Sequence, residues 1–600
     1  MSPIPCENID NNVQSNECQE QSSDSNNYSD IDLNVNNEFD TKSLNFLNDC
    51  PVECETIRYN LAEDVIVLPI NQSQIDEPNV KPKPFRSVCC SMTYLSFGLI
   101  LLTAGIIAIV LPIYDLVLEE RLKMQPGLPP YDQWVIPEPE VRLRVFIFEA
   151  ENPNEFLNGT DKKLRLNEIG PIVYREHLHH KDVVFHENST LSYTAARRIE
   201  FLEDQNEPGI LNRTILVPNF VVLASAASIN GNELQKFFFE RRLNEPLFLN
   251  ITIYEYLWRY ESDFIKSLYN MDVFGINIGQ FIVPTNNSGV LYQIYEDFND
   301  RYNVRIGPHY SGDQFFEITS VNGDSVVPGF HQNECNASVI GSTEGALYKT
   351  HLTKDSVLWY WRKALCRQVP LYFEKKVQKG SFEAYKYVLR ENVYDRMDNL
   401  TADCYSGAFE KLPDGLSDLS KCYYDMPFAA SNPHFYGRYP NRLTEKLDGF
   451  KPDKDKHQSF IIIEPVMGVP IDQSARSQNN VIIPELHGFR EDIQRFSNMA
   501  LPTFWVEFHQ KKLTTDIENL LYFTLFILPV LQYVIPITLI ATALLLIING
   551  VRGCISNQTH NLHHSLQSKQ TMPTKANQLP EKIPNTWQQS NNKSDLCIKA

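Results

Sequence analysis

The sequence lacks the short motifs by which many enzymes are recognised. It contains no G-x-S-x-G nucleophile elbow, no H-E-x-x-H zinc motif and no phosphate-binding P-loop. Its densest histidine group, at His177, His179 and His180, is joined by no cysteine or carboxylate pattern that would complete a metal site. We therefore expect a protein that is not an enzyme and that needs no metal or other cofactor.

Basic charge is also scarce. The chain has 54 Lys and Arg against 74 Asp and Glu, which gives a formal net charge of −20 at pH 7. Nucleic-acid binding requires a surplus of positive charge, so we expect no nucleic-acid partner. The acidic surplus is strong in residues 1–90, where 16 acidic side chains face 5 basic ones. This segment is poor in aromatic residues, and we expect a disordered, acidic cytoplasmic tail.

Cysteine is sparse in the middle of the chain. Of the 12 cysteines, only Cys335, Cys366, Cys404 and Cys422 lie within residues 115–519. An even, clustered set of this kind suits an oxidising compartment, whereas the scattered cysteines of the two ends suit a reducing one. Four cysteines allow three pairings, and the sequence pattern alone does not choose among them.

Two long uncharged apolar stretches are the strongest positive signal. The first lies between Arg86 and Asp115, and the second lies between Glu518 and Arg552. A helix needs roughly 20 apolar residues to cross a bilayer, and both stretches reach that length. We therefore predict transmembrane helices at residues 91–114 and 520–550. Residues 115–519 then lie on one side of the membrane, and residues 551–600 form a second tail.

The basic residues that flank the two stretches are equal in number on both sides, so they do not decide which side of the membrane residues 115–519 occupy. Glycosylation signals decide it instead. We predict an extracellular or lumenal domain with both termini cytoplasmic. Cys89 and Cys90 then lie at the inner membrane edge, where palmitoylation and unmodified thiols are both open. The predicted glycosylation sites are the seven Asn-X-Ser/Thr acceptors of residues 115–519, namely Asn158, Asn188, Asn212, Asn250, Asn286, Asn336 and Asn399.

The large central region has mainly the pattern of β-strands. Residues 141–148 alternate between apolar and polar side chains, and residues 183–185 and 459–464 form short apolar runs. Helical patterns appear at residues 220–242, 253–267 and 355–366. We therefore predict a mainly antiparallel β ectodomain with helical insertions.

Ordered blocks of residues then point to a family. They include Tyr131-Asp-Gln-Trp134, Glu168-Ile-Gly-Pro-Ile-Val-Tyr174, Leu257-Trp-Arg-Tyr260, Pro433-His-Phe435 and Ile463-Glu-Pro-Val-Met-Gly468. Over about residues 92–550 the chain resembles the class B scavenger receptor family, which includes fatty-acid translocase, lysosomal integral membrane protein and sensory-neuron membrane proteins. It departs from the family pattern at Gly341-Ser-Thr-Glu-Gly345, where relatives usually read GTDG, and at Trp258-Arg-Tyr260, which replaces the usual WGY.

The resemblance implies a β-barrel-like ectodomain with a helical cap near residues 219–267 and an internal lipid tunnel. It also implies a receptor that binds lipids, fatty acids or lipoproteins and mediates their uptake or their transfer to the membrane. For such a receptor we expect a location in the plasma membrane. One alternative is a lysosomal or endosomal receptor for a protein cargo. A two-span ligand-gated channel is a further alternative, which the few cysteines of the loop disfavour.

The resemblance also places a ligand-contacting positive charge at the cap, and Arg242 falls nearest to that position. The predicted ligand-binding residues are Lys236, Phe237, Phe238, Phe239, Arg241 and Arg242. An amphipathic helix with core aromatics and a solvated basic edge stays open as the alternative. The resemblance favours the disulfide pairs Cys335–Cys404 and Cys366–Cys422. It leaves the identity of the ligand open, as well as the choice between monomer and homo-oligomer.

Overall fold

Two long apolar helices frame the described part of the chain. In this computed structural model the first, α1, spans Val88–Val110. The second begins as α12 (Thr515–Tyr522), passes through a π-helical turn at Phe523–Ile527 and continues as α13 (Leu528–Gln570). The segments Cys90–Val110 and Thr515–His563 are long and apolar enough to cross a bilayer. The second helix continues well past the predicted boundary at residue 550.

Glycines lie where the two long helices meet. A Cβ atom on Gly98 would lie 2.8 Å from the Ile547 side chain, and one on Gly105 would lie 2.7 Å from Ile540. Small residues allow helix backbones to approach closely within a membrane. The two helices therefore form one antiparallel pair that holds both ends of the central region together.

The structure describes most of the region between the two long helices, with several gaps. The described residues are 88–111, 114–116, 123–138, 141–269, 272–273, 276–277, 287–296, 299–306, 314–327, 330, 337–395, 412–423 and 425–570. They all belong to one unit, Pro84–Ala600. The predicted acidic tail lies outside them up to residue 87.

Eighteen strands form the framework of the described central region. They are β1 (Arg142–Ala150), β2 (Leu164–Phe185), β3 (Thr190–Phe201), β4 (Thr214–Pro218), β5 (Phe248–Thr252), β6 (Asp272–Val273), β7 (Ile276–Asn277), β8 (Arg301–Arg305), β9 (Ile318–Val321), β10 (Val357–Arg362), β11 (Arg367–Lys379), β12 (Phe382–Leu389), β13 (Ser417–Asp418), β14 (Phe428–Ser431), β15 (Leu447–Asp448), β16 (Phe460–Glu464), β17 (Val469–Ile483) and β18 (Met499–Gln510).

Short helices lie between these strands. They are α2 (Pro129–Val135), α3 (Pro153–Leu157), α4 (Phe220–Ser228), α5 (Glu233–Arg242), α6 (Ile253–Trp258), α7 (Asp263–Tyr269), α8 (Val290–Glu296), α9 (Pro440–Leu443), α10 (Lys454–His457) and α11 (Glu491–Gln494). We refer to α4–α7 as the cap.

The main sheet of the described residues contains 14 strands in the order β10-β11-β12-β16-β17-β18-β1-β2-β3-β8-β9, with β13–β15 joined at its sides. Its pairs along this path are antiparallel. The first and last strands of the chain, β1 and β18, are direct neighbours, with Arg142 opposite His509 and Ile147 opposite Phe504. The predicted fold class is confirmed: a two-span membrane protein with a large, mainly antiparallel sheet and additional helices.

The segment at residues 341–343 connects the two edge strands of this sheet. On one side, the Ile318 amide of β9 donates a hydrogen bond to the Ser342 carbonyl at 2.7 Å. On the other side, the Thr343 amide donates to the Trp359 carbonyl of β10 at 2.9 Å, and the Trp361 amide donates to the Thr343 carbonyl at 2.8 Å. The sheet is therefore closed into a barrel-like form by the same segment that departs from the family pattern.

One predicted helix is wrong. Residues 355–366 contain the strand β10, followed by a short 3-10 turn at Lys363–Leu365. The stretch Val357-Leu-Trp-Tyr-Trp361 is β-branched and aromatic, which suits a strand, and β11 pairs with it along its whole length. The tertiary pairing therefore overrides the helical spacing of its apolar residues.

Candidate functional site

A large cavity runs from the cap into the sheet. Its volume is about 640 Å³, which lies within the range of roughly 300–1,000 Å³ that is usual for small-molecule sites. At one end it is lined by Phe220, Phe238 and Phe239 of the cap. Toward the other end it is lined by Phe504, Val506 and Phe508 of β18. The wall is mainly apolar, with a few polar groups among aromatic and aliphatic side chains.

The local sequence explains how the cap presents its residues to this cavity. The Asn219 side chain accepts a hydrogen bond from the Val222 amide at the start of α4, and Asn232 does the same for the Gln235 amide in α5. The break between the two helices falls at Asn230-Gly231, a turn signal in the sequence. The second helix is thus turned so that Phe239 packs inward while Phe238 stays exposed.

Three of the six predicted cap residues line the cavity, namely Phe238, Phe239 and Arg242. Phe239 is buried, with its ring centroid 5.1 Å from that of Phe264. Phe238 is 51% exposed, and Arg242 is exposed at the last turn of α5. Because two of the residues that line the cavity are also exposed, the cavity reaches the protein surface at the cap.

Phe237 and Arg241 lie on the outer surface of the same helix. Phe237 is 58% exposed and contacts the Phe238 ring at a centroid distance of 5.7 Å. Leu234, one turn earlier, is also exposed. Neither Arg241 nor Arg242 makes an ion pair within the described ranges. The mouth of the cavity therefore carries an exposed apolar surface with two available guanidinium groups beside it.

Lys236 is placed differently from the other predicted residues. Its side chain is buried, and its ammonium group donates hydrogen bonds to Glu233 at 2.9 Å and to the His487 carbonyl at 2.7 Å. It also lies 5.4 Å from the centroid of the Phe489 ring. These contacts hold α5 on the loop before α11, and the structure does not bring Lys236 to the cavity wall.

A second, smaller cavity of about 60 Å³ lies next to the first. The two cavities share Ala364, Ser477 and Phe508 in their walls. The guanidinium carbon of Arg362, which lines only the smaller cavity, lies 3.9 Å from the centroid of the Phe508 ring. An aromatic ring covered by a cation therefore lies where the two cavities meet.

A largely buried ionic cluster holds this Arg362. Glu176 accepts hydrogen bonds from Arg197 at 2.6 Å and from the Tyr295 hydroxyl at 3.0 Å, and Arg362 lies 3.5 Å away. Glu344, from the segment that closes the sheet, accepts from Arg197 at 2.9 Å. We refer to Glu176, Arg197, Glu344 and Arg362 as the ionic cluster. It joins β2, β3, β10 and the closing segment.

The electrostatics of this cluster favour the ionised carboxylates. Burial acts to raise the pKa of Glu176, but the positive charges of Arg197 and Arg362 outweigh it and hold the pKa below its usual value. Burial also opposes ionisation of Glu344, while hydrogen bonds from His180 and Tyr193 and the charge of Arg197 lower its pKa to about 2. Both carboxylates are therefore charged at neutral pH, and two guanidinium groups balance them.

The remaining predicted sites fall into two sets. Cys366 and Cys422 are joined by a disulfide, and the acceptors Asn158, Asn188, Asn212 and Asn250 are exposed. Cys90 lies half-buried in α1. Outside the described residues lie Cys335, Cys404, Asn286, Asn336, Asn399 and the side chain of Cys89. Among the residues that were described, no group of three or more His, Cys, Asp or Glu side chains could hold a metal ion.

Sequence reasoning missed Phe508, Arg362 and the ionic cluster. The four charged members lie at positions 176, 197, 344 and 362, so no spacing in the sequence brings them together. One signal was present. Arg362 ends the apolar run Val357-Leu-Trp-Tyr-Trp361, and a charge that follows an apolar, aromatic strand packed on a core needs a partner there.

The pair of apolar helices and the closed sheet with its internal cavity define a membrane-anchored β domain built around an apolar chamber. Residues 96–553 match the pattern of the CD36 family. This match covers most of the sequence, so the chain belongs to the CD36 family. The family resemblance read from the sequence is thereby confirmed.

Individual relatives agree with this assignment. Scavenger receptor class B member 1 of Cricetulus griseus is 28% identical over 466 residues, which cover 75% of this chain and 87% of that protein. The same receptor of Sus scrofa is 26% identical over 429 residues, 70% of this chain and 80% of that protein. Lysosome membrane protein 2 of Homo sapiens is 25% identical over 411 residues, 67% of this chain and 82% of that protein.

Proposed function

We propose that this protein is a class B scavenger-type receptor that binds lipids, fatty acids or lipoproteins at the cap and mediates their uptake or their transfer to the membrane. The observation that carries the proposal is the apolar cavity of about 640 Å³ that reaches the surface between Phe238 and Arg242. Relatives named scavenger receptor class B member 1 support the receptor class. The proposal assigns no catalytic step to the protein.

The physical chemistry of the cavity suits an acyl chain. Each buried methylene contributes about 0.8 kcal/mol, so a long chain gains substantial free energy in an apolar chamber without any covalent chemistry. The polar end of such a lipid would stay at the cap. A guanidinium group binds carboxylate or phosphate through two parallel hydrogen bonds, and Arg242 lies at the mouth of the cavity.

The outer surface of α5 would contact a lipid particle. Leu234, Phe237 and Phe238 expose apolar surface, and Arg241 and Arg242 follow at the end of the helix. Exposed apolar groups of this kind mark interaction sites on soluble surfaces. Positive charge beside them favours particles with anionic surfaces.

The charge of the cap can be tested by exchanging Arg241 and Arg242 together for Glu. We expect the affinity for anionic lipid particles in a cell-surface binding assay to fall by about tenfold, equivalent to about 1.4 kcal/mol. The control is the double exchange of Lys511 and Lys512 for Glu. These residues are also exposed and receive the same change in charge, but they lie beside the membrane helix α12. Equal binding by both variants at equal surface expression would contradict a role for the cap charge.

The cavity itself can be tested by lipid mass spectrometry on the purified full-length protein. An acyl lipid bound in stoichiometric amount after purification supports the proposal. To separate cavity lipid from the lipid around the membrane helices, the measurement is repeated with Val506 replaced by Trp, which fills the cavity wall. If the bound lipid is the same in both proteins, it does not occupy the cavity.

We also propose that the β domain faces the cell exterior, at the plasma membrane, with both termini cytoplasmic. The exposed acceptors Asn158, Asn188, Asn212 and Asn250 support this orientation. A lysosomal or endosomal receptor is the second candidate, because one group of relatives is named lysosome membrane protein 2. Surface labelling of intact cells, followed by glycosidase treatment, separates the two. Glycosylated protein found only in internal membranes favours the second.

A further inference from the structure

The larger cavity ends within the protein, where the smaller one begins. The two volumes are about 640 and about 60 Å³, and they share Ala364, Ser477 and Phe508 in their walls. Phe508 is the largest of the three shared side chains. The Phe508 ring is therefore the main barrier between the two cavities.

Arg362 covers this ring from the smaller cavity. Its guanidinium carbon lies 3.9 Å from the ring centroid, which is well within the distance of a cation–π contact. Arg362 lines the smaller cavity and not the larger one. A hydrocarbon chain that passes from one cavity to the other must displace this pair.

The ionic cluster holds Arg362 over the ring. Glu176 lies 3.5 Å from the Arg362 guanidinium, and the same carboxylate accepts from Arg197 and Tyr295. Tyr295 lines the larger cavity and donates to Glu176, so a molecule bound there reaches the cluster through Tyr295. Because separating a largely buried guanidinium from a carboxylate is costly, Arg362 stays near Glu176 unless another group takes over this contact.

The smaller cavity lies toward the membrane helices. Phe460 lines this cavity and also packs against the apolar group that contains Phe382 and Leu521. The Phe382 ring centroid lies 6.0 Å from that of Phe526, in the π-helical turn of the second long helix. A route from the cap toward the bilayer would therefore lead through the larger cavity, past Phe508 and Arg362, to the smaller cavity, whose Phe460 packs against residues beside the second long helix.

We propose that Phe508 and Arg362 form a gate between a cap-side lipid chamber and the membrane, which an acyl chain passes only when Arg362 leaves the Phe508 ring. The gate deepens the proposed function and depends on it, since it presumes that lipid moves through the domain. In this arrangement the cap captures the lipid. Phe508 and Arg362 set the rate at which the lipid is released toward the bilayer. A chain can then be bound in the larger cavity without being passed on.

The test uses the full-length protein reconstituted in phosphatidylcholine vesicles and a fluorescent long-chain fatty acid supplied on donor particles. The measured quantity is the rate at which the probe enters the vesicle bilayer. Phe508→Ala should raise this rate by about tenfold, which corresponds to the loss of one desolvated cation–π contact. Arg362→Met, which keeps a long apolar side chain and removes the charge, should also raise the rate at which the probe enters the bilayer.

Phe504→Ala is the matched control. It removes the same ring from the same strand, and Phe504 lines the larger cavity but not the smaller one. We expect this variant to bind more probe and to transfer it at the wild-type rate. Equal transfer rates for Phe504→Ala and Phe508→Ala would overturn the gate, because cavity volume alone would then explain the change.

Two further outcomes separate the gate from the function on which it depends. If the wild-type protein moves no more probe than protein-free vesicles, the proposed function itself fails. If the wild-type protein transfers lipid and Phe508→Ala and Arg362→Met both leave the rate unchanged, only the gate fails. Thermal unfolding verifies that each variant folds, and Phe508→Leu replaces Phe508→Ala if the latter does not.

Discussion

Two arginines approach the same chain of cavities from opposite ends, and their surroundings differ. Arg242 is exposed beside Phe238 at the cap and makes no ion pair within the part of the chain that the structure describes. Arg362 is largely buried, with its guanidinium over the Phe508 ring, and it shares Glu176 with Arg197. The first guanidinium is available to an anionic ligand, whereas the second is already neutralised. The same residue type can therefore attract a ligand at one end and close a passage at the other.

The largest expected effect comes from removing the carboxylate that distinguishes the two arginines. Glu176→Gln removes a buried carboxylate that Arg197 and Arg362 share, and breaking a buried pair costs roughly 3–5 kcal/mol. We expect this loss in the free energy of unfolding, measured by denaturant titration of the detergent-solubilised protein. Glu200→Gln is the control. Glu200 pairs with His177 at 2.8 Å but is 53% exposed, so its loss should change the free energy of unfolding far less.

A smaller effect should appear in the dependence of stability on pH. The pKa of Glu344 is lowered to about 2 in the folded protein, below the ordinary value near 4.5 that it has in the unfolded chain. The stability that its charge provides is therefore present above pH 4.5 and is lost as the pH falls toward 2. Between pH 5 and pH 3 this loss is on the order of 2 kcal/mol.

Glu344→Gln should remove that part of the acid dependence, because glutamine does not titrate. The measurement is the free energy of unfolding at several pH values between 5 and 3 for both proteins. Parallel curves for the two proteins would mean that Glu344 is not the titrating group. The exchange also lowers stability at neutral pH. The comparison therefore uses the slope of the free energy of unfolding against pH and not its absolute value.

The smallest effect is expected at the cap. Arg242→Gln removes an exposed charge that has no described ion-pair partner, and such surface changes usually alter stability by at most about 0.5 kcal/mol. Thermal unfolding should therefore be nearly unchanged while the binding of anionic lipid weakens. A large loss of stability would show that Arg242 has a structural role, like Arg362, and the contrast between the two arginines would disappear.

Much of the architecture could be predicted from local patterns. Uncharged apolar length identified the two membrane helices, and alternation at residues 141–148 identified β1. These features are local because a bilayer or a half-buried sheet acts on each residue in turn. The helical spacing at residues 355–366 was misleading, because pairing with β11 decides the conformation there.

The candidate site was only partly accessible from the sequence. Phe238, Phe239 and Arg242 could be found because they follow one another on a single helix. Lys236 belongs to the same helix, yet its direction depends on the His487 carbonyl, which is 251 residues away in the chain. The ionic cluster depends on strand register between residues that lie 21, 147 and 186 positions apart in the chain, which a single sequence does not reveal.

The neighbouring positions of β1 and β18 have a mechanical consequence. Both membrane helices are attached to the same end of one hydrogen-bonded ladder, where Arg142 lies opposite His509. A lateral force that separates the helices would open this ladder one pair at a time, as in a zipper. The contacts at Gly98 and Gly105 oppose such a separation inside the bilayer. The contacts between the two helices therefore resist such a lateral force before it acts on β18, the strand that carries Phe508.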